Sequence, residues 1–185
     1  MTNEEKMRVA IEVAKESLKN GELPVGAVIF RGDEIVAKAC SSGEDSDKYL
    51  RHAEMKALWE ADSMGYSYSK RCEMQLFVTM EPCMMCLGAA TSFYISEIFY
   101  AHESPIDGAV KFAEEYWRPD NKEIPTYKLP KCHGGLLREE SRELLRQYVA
   151  LKKEGSLVDF CNTLLSCKDP FIDRLSGMEK TLTFH

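Results

Sequence analysis

Four residues in two short segments of this 185-residue chain could do chemistry: His52 and Glu54 in His52-Ala53-Glu54, and Cys83 and Cys86 in Glu81-Pro82-Cys83-Met84-Met85-Cys86. An imidazole and two thiolates make three ligands for zinc. That is one fewer than a closed structural site uses, so the fourth position stays open to water. Glu54, two residues beyond His52, falls beside such a metal without ligating it. A carboxylate there takes a proton from the activated water and passes it to a ring nitrogen and to a leaving amine. Attack on an amidine-like carbon with loss of ammonia suits these parts, with one Zn2+ per chain as the expected cofactor.

Positioning these groups needs helix starts. Pro82 suits the first turn of a helix running through CMMCLGAATSF, where its missing N–H costs nothing. The unpaired N–H groups of that turn favour thiolate over thiol at Cys83 and Cys86. A second helix, from about His52 to Ala61 with Met55, Leu58 and Trp59 on it, brings His52 to a helix start as well. Upstream, residues 3–19 have helical spacing behind the capping box Thr2-x-x-Glu5. VGAVIF and EIVAKAC read as two strands joined by a turn at Arg31-Gly32-Asp33. SSGEDSDKYL and residues 63–73 read as polar loops, MQLFVTM as a central strand and EIFYAH as a further strand.

A helix follows near 107–117. Four of the seven prolines, Pro105, Pro119, Pro125 and Pro130, fall near or within 118–135, which reads as loop with at most one short strand. A helix over about 136–153, ended by Gly155, precedes a short helix in SLVDFCNTLLSCK. The alternation predicts a three-layer α/β domain with a mixed sheet over residues 1–155, and a C-terminal extension over 156–185.

Composition narrows the setting. No apolar run approaches the roughly 20 residues of a membrane span, and MTNEEKMRVAIEVAKES resembles no targeting peptide; a cytoplasmic protein with no membrane partner is expected. Seven cysteines, an odd number with a C-x-x-C among them, point to metal or redox chemistry and away from a disulfide framework. A net charge of −6 weighs against a large polyanion and towards a small substrate. Arg138, Arg142 and Arg146 repeat every fourth residue and form the one stripe that could follow phosphates. The interleaved Glu139, Glu140 and Glu143 favour a solvated face instead. Cys132-His133 could close a four-ligand site, giving a non-catalytic structural zinc module, but that leaves Glu54 without a role.

The stretches LPVGAVI (23–29), RHAEMKAL (51–58), VTMEPCMMCLGA (78–89) and GGLLREESRELLRQYV (134–149) resemble the cytidine deaminase-like superfamily. The resemblance covers about residues 3–150 and lies on the branch of tRNA adenosine deaminases, guanine deaminases and fungal-type cytosine deaminases. It implies an α/β/α cytidine deaminase-like fold around a mixed five-stranded sheet, carrying a C-terminal helical extension. It also implies His52, Cys83 and Cys86 as zinc ligands and Glu54 as the catalytic proton shuttle, with the backbone near Ala53 and Pro82 lining the base pocket. Pairing into a homodimer through the MMCLGAATSF region is implied too. Where such relatives carry an asparagine that binds the base, this chain has Ser41, whose hydroxyl cannot make the two-point amide contact. SPIDGAVKFAEEYW also lacks the Gly-Ser continuation typical of the tRNA enzymes. The expected substrate is therefore a free nucleobase, nucleoside or similar aminoheterocycle, and tRNA-specific deamination of adenosine in the anticodon loop is the alternative. Phe171, Phe184 and His185 of the tail are expected to pack on the domain or on a partner subunit.

Overall fold

A computed structural model describes residues 1–42, 48–117 and 128–167; Phe171, Phe184 and His185 lie outside the described residues. The first helix, α1 (Asn3–Lys19), begins at Thr2, whose side chain accepts from the Glu5 amide while the Glu5 carboxylate accepts from the Thr2 amide. Five strands follow in chain order: β1 (Gly26–Arg31), β2 (Glu34–Cys40), β3 (Met74–Met80), β4 (Glu97–His102) and β5 (Lys131–His133). They lie side by side as β2-β1-β3-β4-β5. β1 is antiparallel to both β2 and β3, whereas β3, β4 and β5 run parallel. The sheet is therefore mixed and β3 is central, as the sequence predicts.

The strands are apolar on both faces because helices cover both. Val28, Phe30, Phe77 and Phe99 face one layer, where α1 and α6 (Arg138–Lys152) pack. Ala27, Ile29, Leu76, Val78 and Ile98 face the other, with α2 (Ala53–Ser63), α4 (Met84–Ser92) and α5 (Val110–Tyr116). Alternation along each strand divides the two sets. α1 crosses β1 so closely that a Cβ on Gly26 would lie 2.2 Å from the Ala10 carbonyl oxygen, which makes glycine obligatory there.

Several boundaries differ from the sequence reading. Pro82 lies outside α4, because Cys83 is extended (φ −72°, ψ 173°) and caps the helix from Met84. The 63–73 loop contains a one-turn helix, α3 (Tyr68–Arg71), too short to carry periodicity. It is tied down by Arg71, which donates to Asp62 at 2.7 Å and sits 4.3 Å over the Phe93 ring. α6 ends at Lys152, with Lys153 at φ 68°, and Gly155 instead opens α7 (Ser156–Ser166). α7 sends Val158, Cys161 and Leu164 into the same buried cluster as the sheet. Trp59, on the apolar spacing of α2, is 80% exposed. No described helix is long and apolar enough to cross a membrane.

Candidate active site

Two helices start at one end of the sheet, and each start carries metal-binding atoms. His52 is the N-cap of α2 and Cys83 the N-cap of α4, with Cys86 in the first turn of α4. His52 Nδ1 lies 3.7 Å from Cys83 Sγ and 3.5 Å from Cys86 Sγ. A tetrahedron with Zn–S near 2.3 Å and Zn–N near 2.05 Å has an N···S edge of about 3.6 Å. The spacing therefore fits one zinc held by His52, Cys83 and Cys86. Among the described residues no other His, Cys, Asp or Glu group comes together this way.

Electrostatics suit the same group. Hydrogen bonding from Cys86, more than any other influence, pulls the Cys83 thiol down to about 4. The same bond, followed by burial, pushes Cys86 well above its ordinary value. One thiolate forms readily, and the second needs a cation's charge, which a bound metal supplies. His52 is raised, chiefly by its hydrogen bond with Cys83. Glu54, in the first turn of α2 and only 4% exposed, is pushed up to about 7, first of all by burial. A carboxyl titrating near neutrality can both accept and return a proton.

These groups open into a cavity of about 550 Å³, within the usual size of a small-molecule site. Its walls come from Leu23 and Val25, from Ser41 and Ser42 after β2, from Lys48, Tyr49 and Arg51, and from His52, Ala53 and Glu54. Met80, Glu81, Cys83 and Asp107 line it as well, together with Ser156, Leu157 and Phe160 of α7. Ser41 and Ala53 are both part of this lining. Pro82 does not line the cavity. Its carbonyl is turned to the 104–110 loop and accepts from Ala109 N at 2.9 Å.

Glu81 belongs to the site's support although the sequence reading gave it no role. Its buried carboxylate accepts from Ser104 N at 2.9 Å and from Val110 N at 3.1 Å. A Cβ on Gly108 would lie 2.3 Å from Glu81 Oε2, so only glycine lets the loop approach. That loop bridges to Cys83 through Gly108 and carries Asp107 to the cavity wall. The only hint in sequence was an acidic residue at the end of an otherwise apolar central strand.

Cys132-His133 and the arginine stripe do not line this cavity. Cys132 donates to the Pro130 carbonyl and His133 stacks on Phe99 at 4.6 Å, on the edge strand β5. Neither joins the His52–Cys83–Cys86 group. The arginine stripe is committed internally: Arg138 pairs with Glu103, and Arg146 with Glu139 at 3.0 Å and Glu143 at 3.2 Å. Arg142, with a 14% exposed side chain, donates to the carbonyls of Cys167 and Leu165 beyond and within α7.

Comparison with known proteins gives concordant matches. The family described as the cytidine and deoxycytidylate deaminase zinc-binding region matches residues 1–102. A tRNA-specific adenosine deaminase of Streptococcus pyogenes is 35% identical over 104 residues, 56% of this chain and 60% of that protein, so the chain spans well under two thirds of this relative's length. A tRNA-specific adenosine deaminase of Rickettsia felis is 30% identical over 144 residues, covering 77% of this chain and 96% of that one. Among solved structures, a tRNA deaminase of A-to-I editing at the wobble position superposes with a TM-score of 0.62 at 26% identity, over 75% of this chain and 96% of that one. The guanine deaminase from Nitrosomonas europaea superposes equally well, with a TM-score of 0.62 over 80% of this chain and 85% of that one. At 20% identity this second likeness concerns the fold alone.

Proposed function

The chain belongs to the cytidine and deoxycytidylate deaminase zinc-binding family, and on that premise we propose that it is a zinc-dependent hydrolytic deaminase of a free nucleobase, nucleoside or similar aminoheterocycle. The observation that carries this reading is the cavity of about 550 Å³ lined by His52, Glu54 and Cys83 together, with residues of α7 in its wall. His52, Cys83 and Cys86 hold the metal. Bound zinc supplies a Lewis acid that makes water nucleophilic at neutral pH. Glu54 takes one proton from the attacking water and hands it to the ring nitrogen beside the attacked carbon, then carries the remaining hydroxyl proton to the amino group, whose bond to carbon breaks as it leaves as ammonia.

Deamination of adenosine in a tRNA anticodon loop is the second reading, supported by the names of the Streptococcus and Rickettsia relatives. It asks for several phosphate contacts. The stripe that would supply them is spent on Glu103, Glu139, Glu143 and the end of α7. The partner within the assembly is a second copy of the chain, met through the α2–α4 side. Trp59 and Met84 stand exposed there, and light scattering at micromolar concentration tests it.

The deciding experiment is ammonia release by the zinc-loaded chain from adenine, guanine, cytosine, their nucleosides and an anticodon stem-loop. Release from a base or nucleoside is expected. Release from the stem-loop alone replaces this reading with the tRNA one, and no release from any of them leaves a non-catalytic zinc module.

A further inference from the structure

Ser41 and Ser42 both line the cavity, yet their hydroxyl protons have different fates. Ser41 is 8% exposed and its hydroxyl donates to the Leu23 carbonyl. Its backbone is fixed from both sides. Ser41 N donates to Val25 O at 2.9 Å, and the buried Ser17 hydroxyl donates to Ser41 O at 2.6 Å. A hydroxyl has a single proton, so Ser41 has none left to offer a substrate.

Ser42 is arranged the other way round. Lys56, one turn beyond His52 on α2, donates to Ser42 Oγ at 3.0 Å and to the Cys40 carbonyl at 2.7 Å. An ammonium has no lone pair, so the direction of the Lys56–Ser42 bond is not in doubt. The Ser42 oxygen accepts, and among the described residues no acceptor takes its proton. The ammonium also polarises the hydroxyl, and hydrogen bonds in a chain strengthen one another.

We propose that Ser42, rather than Ser41, reads the substrate, donating its hydroxyl proton to a ring carbonyl or an unprotonated ring nitrogen, with Lys56 as the positioning residue behind it. The inference rests on the deaminase reading above and narrows its substrate class. The ring presents an acceptor, not an N–H, to the β2 side of the cavity. A side-chain amide at this edge would both donate and accept, whereas a hydroxyl held by a cation is a donor facing the substrate. Sequence comparison draws the eye to Ser41 because it holds the place of the base-binding asparagine. The hydrogen-bond inventory transfers the task to its neighbour.

The test is steady-state ammonia release by the zinc-loaded full chain on whichever base or nucleoside it turns over fastest. Ser42→Ala is expected to raise KM about tenfold with kcat little changed, the loss of one uniform contact. Ser42→Thr, which keeps the hydroxyl, retains most of the wild-type KM. Ser41→Ala lowers the unfolding midpoint. Lys56→Met raises KM in the wild-type background but adds nothing on top of Ser42→Ala, because it acts through that hydroxyl. An unchanged KM in Ser42→Ala overturns the proposal, as does a Lys56→Met effect that adds in full to it. If the wild-type chain releases ammonia from no base or nucleoside, the small-substrate deaminase reading itself falls and takes this inference with it.

Discussion

Arg142 reaches from α6 to the end of α7 and donates to the Cys167 carbonyl at 3.2 Å, with a second bond to the Leu165 carbonyl. A planar guanidinium is suited to bridge two carbonyl oxygens in this way, and a lysine is not. The carbonyls of a helix's last turn lack intrahelical partners, so the bond pins α7 at the end far from the cavity. Arg142→Met should therefore destabilise the fold by about 2 kcal/mol, the loss of hydrogen bonds to a charged group, measured by urea denaturation. Arg146→Glu, on the exposed face, should leave ammonia release unchanged. Wild-type stability in Arg142→Met would mean that α7 is held by its apolar face alone.

Zinc content should be about one per chain and should depend on each ligand. His52, Cys83 and Cys86 are three donors on two helix starts, and losing one leaves two coordination positions to solvent. Cys83→Ala and Cys86→Ala are each expected to lose most of the metal, measured by elemental analysis after dialysis. Retention of full zinc by both single variants rules out this ligand set.

Glu54→Ala should keep both zinc and fold while losing turnover. One carboxylate serves several proton transfers, so the loss should reach or exceed the upper end of the roughly 10²–10⁴-fold typical of general acid–base catalysis. Wild-type activity would remove Glu54 from the mechanism, and loss of zinc together with activity would make it a ligand.

The main elements could be read from sequence because their signals are local. The Thr2–Glu5 capping box, the apolar runs of β1 and β3 and the His52-Ala53-Glu54 and Cys83-x-x-Cys86 spacings all lie within a few residues. What escaped is long-range. Glu81 earns its place through amides 23 and 29 residues away, and Arg142 through a carbonyl 25 residues away. Neither leaves a periodic trace. Pro82 and Cys83 fall outside α4 for a different reason: proline is acceptable at either site, and only the extended backbone of Cys83 decides which residue caps.

His102 gives the protein a pH signature. It is buried, and that burial pushes its pKa down to about 4 from an ordinary 6.5. The folded state therefore binds this proton less readily than the unfolded chain. Its contribution to stability is complete above about pH 6.5 and is lost as pH falls from there to 4. One proton corresponds to a slope of at most about 1.4 kcal/mol per pH unit. His102→Gln should flatten the stability profile between pH 6.5 and 4 relative to wild type. Parallel profiles for the two proteins would show that His102 is not the group that titrates.

α7 separates a role in stability from a role in substrate binding, because two of its faces do different things. Phe160 and Leu157 line the cavity, whereas Leu164, on the same helix, is buried in the core and touches no part of it. A small heterocycle gains its affinity by leaving water, and an aromatic wall covering some 40–60 Å² of it is worth about 1–1.5 kcal/mol at 25 cal/mol per Å². Phe160→Ala should then raise KM for a base or nucleoside about tenfold, at a smaller loss of stability than Leu164→Ala, because Phe160 is only partly buried against the core. Leu164→Ala should do the opposite, costing about 2–5 kcal/mol of stability by opening a core cavity while leaving KM near wild type. Both quantities come from the same two preparations, one by denaturation and one by ammonia release. If Phe160→Ala leaves KM for the small substrates unchanged, α7 does not close over the bound ring. An anticodon stem-loop that becomes a better substrate in the same variant would show that α7 is a barrier to RNA.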